Sequence, residues 1–380
     1  MEATLIKTNH AGYFERQVTR LLAGAGIAVN GHESHDLRVH NRMFYERVLS
    51  EGSLGLGESY MDGWWDCDRI DIMMAKIVEA GLASYHSLRF SNFIALLKTK
   101  LNNQQSKENA LRSASFHYNL GNDLFSAMLD KNLTYTCGYW KDANTLEAAQ
   151  EAKLDLTGRK LNLRPGMSVL DIGCGWGSFA RYAAEKYYVQ VTGITLSEDQ
   201  LLLGNQLNDR LPVKLKLQDY RDLTGQYDRI VSLGMFEHVG LHNYQKFFKM
   251  VKKCLKPDGL FLLHTIGSNV SAHNADPWLS KYIFPNALIP SLAQLSSATE
   301  KHFVLEDLHN FGPDYDKTLM AWQRNFADNW HKLSDHYTER FYRMWNYYLL
   351  SCAGTFRARK NQLWQLVFST GLTAQYASVR

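Results

Sequence analysis

An acid and a histidine stand just beyond two apolar runs, where polar side chains could carry chemistry beside a bound ligand. Glu237 lies in Gly234-Met235-Phe236-Glu237-His238-Val239-Gly240, and His264 ends Leu260-Phe261-Leu262-Leu263-His264. If both runs are neighbouring strands of a parallel sheet, the two side chains share the carboxyl rim where ligands bind. Tyr315, in Phe311-Gly312-Pro313-Asp314-Tyr315, and Cys137, in an aromatic segment ahead of the sheet, are candidates for the same rim, although spacing alone does not prove that they converge. A histidine closing an apolar strand is also at home as a satisfied core residue, so both readings stand. Cys352, in Leu350-Ser351-Cys352-Ala353-Gly354, has no basic neighbour in sequence to activate it; it is a weak catalytic candidate and mainly a core residue.

The binding signal is the stretch Val169-Leu170-Asp171-Ile172-Gly173-Cys174-Gly175-Trp176-Gly177, an apolar run that turns abruptly into alternating glycines. Glycines there let backbone approach a ligand without an intervening Cβ. A dinucleotide fingerprint reads G-x-G-x-x-G and sets a pyrophosphate on a helix N-terminus. Here the spacing is G-x-G-x-G, followed by Ser178, which favours S-adenosylmethionine over NAD. Asp171 is placed to hold the charged aminopropyl end of that ligand. A plain tight strand-to-helix turn is the competing reading. Asp219 and Tyr220, just past a third strand, are placed to bond the adenine amino group and stack on its ring, or else are a loop aspartate and a core tyrosine. The acidic residue expected about 20 positions after the glycines is missing, and Thr195 and Gln200 are candidates to replace it.

These residues need a scaffold, and the surrounding pattern supplies one. Strands are expected at 189–194, 213–217, 227–233 and 260–264, alternating with helices at 179–187 and from Ser197, a candidate N-cap, through Asn208. That order predicts an α/β fold with a parallel, doubly wound sheet. The chain has 380 residues, enough for one such domain and a smaller one, and 45% hydrophobic content suits a packed core. It contains no run of about 18 apolar residues that would span a bilayer, and no apolar signal core near the N-terminus. Five scattered cysteines without C-x-x-C pairs argue against a disulfide framework or a zinc site and for the cytoplasm. A net charge of +4 and a pI of about 8.6 are too mildly basic to indicate nucleic acid. Helical spacing at 13–25 and 43–51 predicts a small N-terminal helical module. Residues 86–114 read as a basic amphipathic segment, with Leu88, Phe90, Phe93, Ile94, Leu96, Leu97 and Leu101 among Arg89, Lys98 and Lys100; it suits a membrane interface or a neighbouring domain.

Taken together, Met61-Asp62-Gly63-Trp64-Trp65, His117-Tyr118-Asn119-Leu120-Gly121-Asn122-Asp123, the glycine stretch, Phe236-Glu237-His238-Val239-Gly240, His264-Thr265-Ile266-Gly267 and Asp276-Pro277-Trp278 resemble the bacterial cyclopropane fatty acid synthases over nearly the whole chain. The resemblance implies a Rossmann-like methyltransferase sheet of seven strands at 116–380, with an acyl-pocket insertion at about 268–356. It also implies an N-terminal domain at 1–100 for the membrane surface or dimerisation, and a linker at 101–115. The implied reaction transfers a methylene group from S-adenosylmethionine to the cis double bond of unsaturated acyl chains in membrane phospholipids. A bound bicarbonate ion is implied too, with Cys137, Glu237, His264, Tyr315 and the backbone at Ile266 as ligands. Further cofactor contacts are expected at Tyr135, Thr136, Gly173, Gly175, Gly177 and Leu196. Gly234, Phe236 and Tyr135 are candidates to face the substrate or stabilise a cation, and Phe326, Trp330, Trp345, Tyr347 and Trp364 to line the acyl pocket. A homodimer, peripherally bound to the inner face of the cell membrane, completes the expectation. Methylation of another lipid or small molecule without ring closure is the alternative.

Overall fold

A computed structural model describes residues 2–82 and 120–380, with side chains from residue 12 onward. The expected basic segment at 86–114, the linker at 101–115 and His117-Tyr118-Asn119 lie outside the described residues. The described chain forms two compact units. One joins the N-terminal residues to 276–285 and 319–360; the other holds 120–275, 286–318 and 361–380. No helix among the described residues is long and apolar enough to cross a membrane.

The first unit is helical, with only a two-residue strand pair, β1 (Arg38–Val39) against β2 (Trp65–Asp66). Its helices are Glu2–Gly24, Met43–Glu51, Ser53–Met61, Ile70–Glu79, Pro277–Tyr282 and Glu339–Arg357. Trp65 is fully buried, and its indole N–H donates to Leu56 O at 3.1 Å. Around it, Tyr60, Trp278 and Tyr347 make edge and tilted ring contacts. Close approach of the long helix Glu339–Arg357 to Ile70–Glu79 requires a glycine. A Cβ on Gly354 would lie 2.6 Å from Asp71 O. The buried Asp71 carboxylate then takes Arg357 at 2.5 Å and Arg69 at 2.7 Å.

The helical unit also takes in 276–285 and 319–360, from the region expected as the acyl-pocket insertion at about 268–356. Most of the anticipated pocket-lining rings, Phe326, Trp330, Trp345 and Tyr347, fall in the helical unit with the N-terminal residues. Phe326 and Trp345 are wholly buried there, Phe326 stacking on Tyr342 at 5.4 Å and Trp345 on Phe341 at 5.8 Å. Trp364 lies in the second unit as a core residue, and it explains Gly267, where an added Cβ would clash with its ring.

The second unit is built on a seven-stranded sheet: β3 (Ser168–Ile172), β4 (Gln190–Thr195), β5 (Val213–Leu217), β6 (Tyr227–Leu233), β7 (Leu255–Ser268), β8 (Val304–Asn310) and β9 (Asn361–Ser369). The spatial order is β5-β4-β3-β6-β7-β9-β8. Strands β3 to β7 run parallel, and β9 is antiparallel to both β7 and β8. The sequence direction reverses between β4 and β6 on either side of β3, a topological switch point where a crevice opens beyond the strand ends. Near its start β7 pairs irregularly with β6, with Asp258 at φ +56°. Ser197 caps the helix Glu198–Leu207 by accepting from Gln200 N at 3.2 Å, as the sequence suggested. Both faces of the sheet are covered by apolar clusters, one centred on Phe247, Phe248 and Phe261 and the other on Leu154, Phe179 and Val231.

Candidate active site

Strand register alone places Glu237 beside His264. Leu233, the last residue of β6, pairs with His264 on β7, and the next residue continues the ladder, Gly234 N donating to His264 O at 2.9 Å. The chain then tightens into a short turn at Phe236–His238, which sends the Glu237 side chain back so that its Oε1 accepts from Ile266 N at 2.7 Å. Among the described residues, neither the other oxygen, Oε2, nor Nε2 of His264 has a hydrogen-bond partner, and both are buried. Burial pushes the Glu237 carboxyl above its usual range, with the Ile266 N–H opposing the shift. His264 is driven well below the usual imidazole range by burial and by the charges of Lys153 and Lys160. It is therefore a neutral ring at physiological pH.

Cys137, Ile266 and Tyr315 meet in one apolar cluster with Tyr139, Phe311 and Leu363. The His264 ring stands edge-on to Phe311, with centroids 5.8 Å apart. All five residues expected around the anion thus gather in one place, on β7, the turn after β6, the helix Pro313–Asp328 and the loop before the sheet. Two contribute differently from expectation. The Ile266 N–H is given to Glu237, so the backbone there acts through the carboxylate. The Cys137 thiol is wholly buried, donates to Gly138 O at 3.1 Å, and is held well above the usual thiol range by burial. It is a packed thiol, not a thiolate.

The presumed cofactor rim follows three adjacent strand ends. Beyond β3, Gly173, Gly175 and Gly177 take φ of +83°, +57° and +80°, a region that disfavours side chains. A Cβ on Gly173 would lie 2.6 Å from Met235, whereas one on Gly175 would meet nothing within 4 Å. Asp171 is buried, its Oδ1 has no hydrogen-bond partner among the described residues, and burial raises its carboxyl to about 7, with Lys153 pulling the other way. Beyond β4, the Thr195 hydroxyl donates to Gln200 Oε1 at 2.7 Å, with Leu196 half-buried beside them. Beyond β5, Asp219 caps its own turn, accepting from Arg221 N at 2.8 Å and pairing with the Arg221 guanidinium at 3.3 Å.

Three candidates turn out to be packed or tethered. Tyr220 is a core ring, edge-on to Phe247 at 5.3 Å with the Arg221 guanidinium over one face, so stacking on adenine is not its observed role. Phe236 is wholly buried among Tyr244, Phe247 and Phe248, which removes it from any substrate-facing surface. Thr136 is tied down by Lys153, whose ammonium donates to its hydroxyl at 2.6 Å, and it packs against Gly234, where a Cβ would come within 2.7 Å. Tyr135 is half-buried, its ring edge-on to Phe125 at 5.2 Å. Cys352 lies in the helical unit on Glu339–Arg357, and burial pushes its thiol to about 12. That is the opposite of an activated nucleophile.

Sequence reasoning passed over the helix Leu146–Lys160. Its Gln150, Lys153, Thr157 and Lys160 recur at helical spacing and read as a solvated stripe, yet all four are fully buried. Gln150 bonds the carbonyls of Thr134 and Thr136, at 3.3 and 2.7 Å, and Lys160 pairs with Asp307 at 3.2 Å. Burial lowers Lys153 to about 8, against the attraction of Asp130, Cys137 and Asp171. The signal available in sequence was the helix's lack of an apolar alternative broad enough to pack on both sides.

Residues 105–366 match the family model described as mycolic acid cyclopropane synthetase. The chain is 54% identical over 357 residues, 94% of each chain, to a cyclopropane-fatty-acyl-phospholipid synthase of Escherichia coli. It is 36% identical over 261 residues to cyclopropane mycolic acid synthase 1 of Mycobacterium tuberculosis, covering 63% of this chain and 91% of that one. Among solved structures, the cyclopropane synthase MmaA2 of M. tuberculosis superposes with a TM-score of 0.65 at 31% identity, covering 70% of this chain and 99% of that one. The mycolic acid cyclopropane synthase CmaA1, complexed with SAH and CTAB, gives 0.64 at 33% identity, covering 68% and 97%. The glycine rim, the sheet order and these matches agree: the chain belongs to the cyclopropane synthase family of S-adenosylmethionine-dependent enzymes.

Proposed function

We propose that the chain adds a methylene unit from S-adenosylmethionine to the cis double bond of unsaturated acyl chains in membrane phospholipids, with a bicarbonate ion held between Glu237 and His264. The observation that carries this reading is a pair of buried atoms with no hydrogen-bond partner among the described residues, Glu237 Oε2 and His264 Nε2. Leaving such atoms unmet costs on the order of 1–3 kcal/mol each, and an anion that both donates and accepts hydrogen bonds meets the two at once. Glu237 accepts from the anion's hydroxyl, and His264 and Tyr315 donate to its oxygens.

S-adenosylmethionine, when bound, supplies an electrophilic methyl group on its sulfonium. Bicarbonate, when bound, supplies a weak base. The protein's own part is to align and exclude. Asp171 offers a carboxylate to the ligand's ammonium, the glycine turn lets backbone approach it, and the Gln200 amide nitrogen remains for its ribose once Thr195 has engaged the amide oxygen. An alkene is a weak nucleophile, so near-attack alignment in a dry site carries much of the rate. Bonding of one alkene carbon to the methyl carbon, as the methyl–sulfur bond breaks and S-adenosylhomocysteine leaves, would put a carbocation on the acyl chain, and ring closure would follow when the new methyl group gives one proton to the bound base. That proton is acidic enough for a weak, well-placed base. The neutral His264 is consistent with a hydrogen-bond donor rather than the base itself, and the half-buried Tyr135 offers a ring face to the cation. We further assign the helical unit a role at the membrane surface or in forming a homodimer, with the protein cytoplasmic and peripheral to the inner membrane face.

The test is incubation of purified protein with vesicles of cis-monounsaturated phospholipid and S-adenosylmethionine, with and without bicarbonate, followed by mass spectrometry and proton NMR of the acyl chains. Gain of one CH₂ with cyclopropane protons, dependent on bicarbonate, supports the proposal. A methylated, unclosed chain would sink it in favour of simple methyl transfer.

A further inference from the structure

We propose that Gln365 is a positioning residue that fixes the proton of His264 on Nε2. Its catalytic consequence rests on the reading above, in which His264 donates to a bound anion, but the assignment of the proton stands on the geometry alone. Gln365 lies on β9 directly opposite His264 on β7 and is fully buried. Opposed residues of an antiparallel pair project from the same face, which brings the amide to the imidazole.

A chain of three hydrogen bonds orders the protons. The Thr157 hydroxyl has one proton, and it is given to Lys153 O at 2.8 Å. Toward Gln365 that oxygen can therefore only accept, and the amide atom facing it at 3.3 Å must be the nitrogen. The same nitrogen lies 3.4 Å from His264 Nδ1. Its second hydrogen points there, so Nδ1 is an acceptor and carries no proton. The ring's one proton then sits on Nε2, the atom without a partner among the described residues. The charged groups facing the ring, Lys153 and Lys160 on the helix Leu146–Lys160, oppose a second proton, and the Glu237 carboxylate is engaged by Ile266 N. The buried polar stripe of that helix thus acts as the back wall of the site, passing a fixed hydrogen-bond direction from Lys153 O through Thr157 and Gln365 to His264.

The test uses the full chain labelled with imidazole nitrogen-15, the His264 signals being assigned by their loss in His264→Asn. Two-bond proton–nitrogen correlations at pH 7.5 are expected to show Nε2 as the protonated nitrogen and Nδ1 as the bare one. In Gln365→Glu the carboxylate cannot donate, so the proton should move to Nδ1. Turnover should then fall by at least about a hundredfold, as a wrong tautomer does in other histidine-dependent sites, while S-adenosylhomocysteine affinity holds. A wild-type His264 protonated on Nδ1 overturns the inference whether or not the variant folds, and so does an unchanged tautomer in Gln365→Glu. A moved proton with unaltered turnover upholds the assignment and overturns the anion reading instead.

Discussion

Replacing Asp171 by asparagine separates the cost of this carboxylate to the ligand-free fold from its benefit to the bound one. The side chain projects from the middle of the sheet, and burial raises it to about 7 even with Lys153 nearby. In the unfolded chain an aspartate titrates near its ordinary value of about 3.9. Between those two values the folded state keeps a proton that the unfolded state has released, so stability falls as pH rises from about 4 to about 7. A shift of roughly 3 units, at 1.36 kcal/mol each, makes the full loss about 4 kcal/mol. The attraction of Lys153 is already contained in that figure. Asparagine has no such dependence; Asp171→Asn should therefore gain on the wild type across this window and hold a constant margin above it. Urea unfolding of both proteins at pH 5, 6, 7 and 8 and fixed ionic strength measures the difference, in which titrations uncoupled from Asp171 cancel; Lys153, at about 8 and held up in part by Asp171, is the coupled group and bears on the pH 8 point. Calorimetry at pH 8 should show the opposite sign for ligand: S-adenosylhomocysteine binding weakened by about tenfold to a hundredfold, the worth of a hydrogen bond to a charged group. A margin that stays flat from pH 5 to pH 8 would refute the raised carboxyl and, with it, the reason for a costly buried acid at this strand.

Other substitutions probe the same framework. Glu237→Gln keeps an oxygen for Ile266 N but exchanges the acceptor at Oε2 for a donor; bicarbonate-dependent turnover should drop by about a hundredfold while S-adenosylhomocysteine affinity is retained, as steady-state rates and calorimetry will show. Gly175→Ala has only the left-handed conformation to overcome, about 1 kcal/mol, because its Cβ meets nothing within 4 Å; denaturant midpoints should place Gly173→Ala well below it, since Met235 adds a clash. Cys352→Ser should leave turnover within about twofold, burial holding the thiol well above the range of an activated nucleophile; a large loss in the vesicle assay would reverse that judgement.

Local pattern carried the elements that hold themselves together. The strands Val213–Leu217 and Tyr227–Leu233 and the helix Met43–Glu51 lie where apolar spacing put them, and Ser197 caps where its side chain can reach the first free N–H groups. The glycine turn was legible because only glycine is comfortable at three successive alternate positions of positive φ. The rest depends on partners distant in sequence. Gln150, Lys153, Thr157 and Lys160 have the spacing of a wet helix face and are dry because carbonyls of the 134–136 loop, Gln365 and Asp307 come to meet them. Phe236, just before Glu237, and Tyr220, just after Asp219, adjoin polar site residues so closely that sequence assigned them to the ligand, whereas each turns the other way into a ring cluster. The return of 319–360 to the N-terminal helices left no local mark beyond Gly354 and Arg357, whose meaning appears only beside Asp71.

That three-part construction of the helical unit bears on how the chain is made. About 260 residues separate Glu79, at the end of one packed helix, from Glu339, at the start of the helix that covers it. At ribosomal speeds of about 5–20 residues per second, this gap lasts on the order of tens of seconds. During that interval the apolar faces of Ile70, Met73 and Ile77 wait without their eventual cover. The sheet unit's first five strands, β3 to β7, can by contrast pair as they emerge. The nascent chain therefore pairs β3 to β7 before its N-terminal helices are covered, and leaves those helices open to chaperones and proteases until Glu339–Arg357 emerges, just ahead of β9, the strand that joins β8 to the sheet.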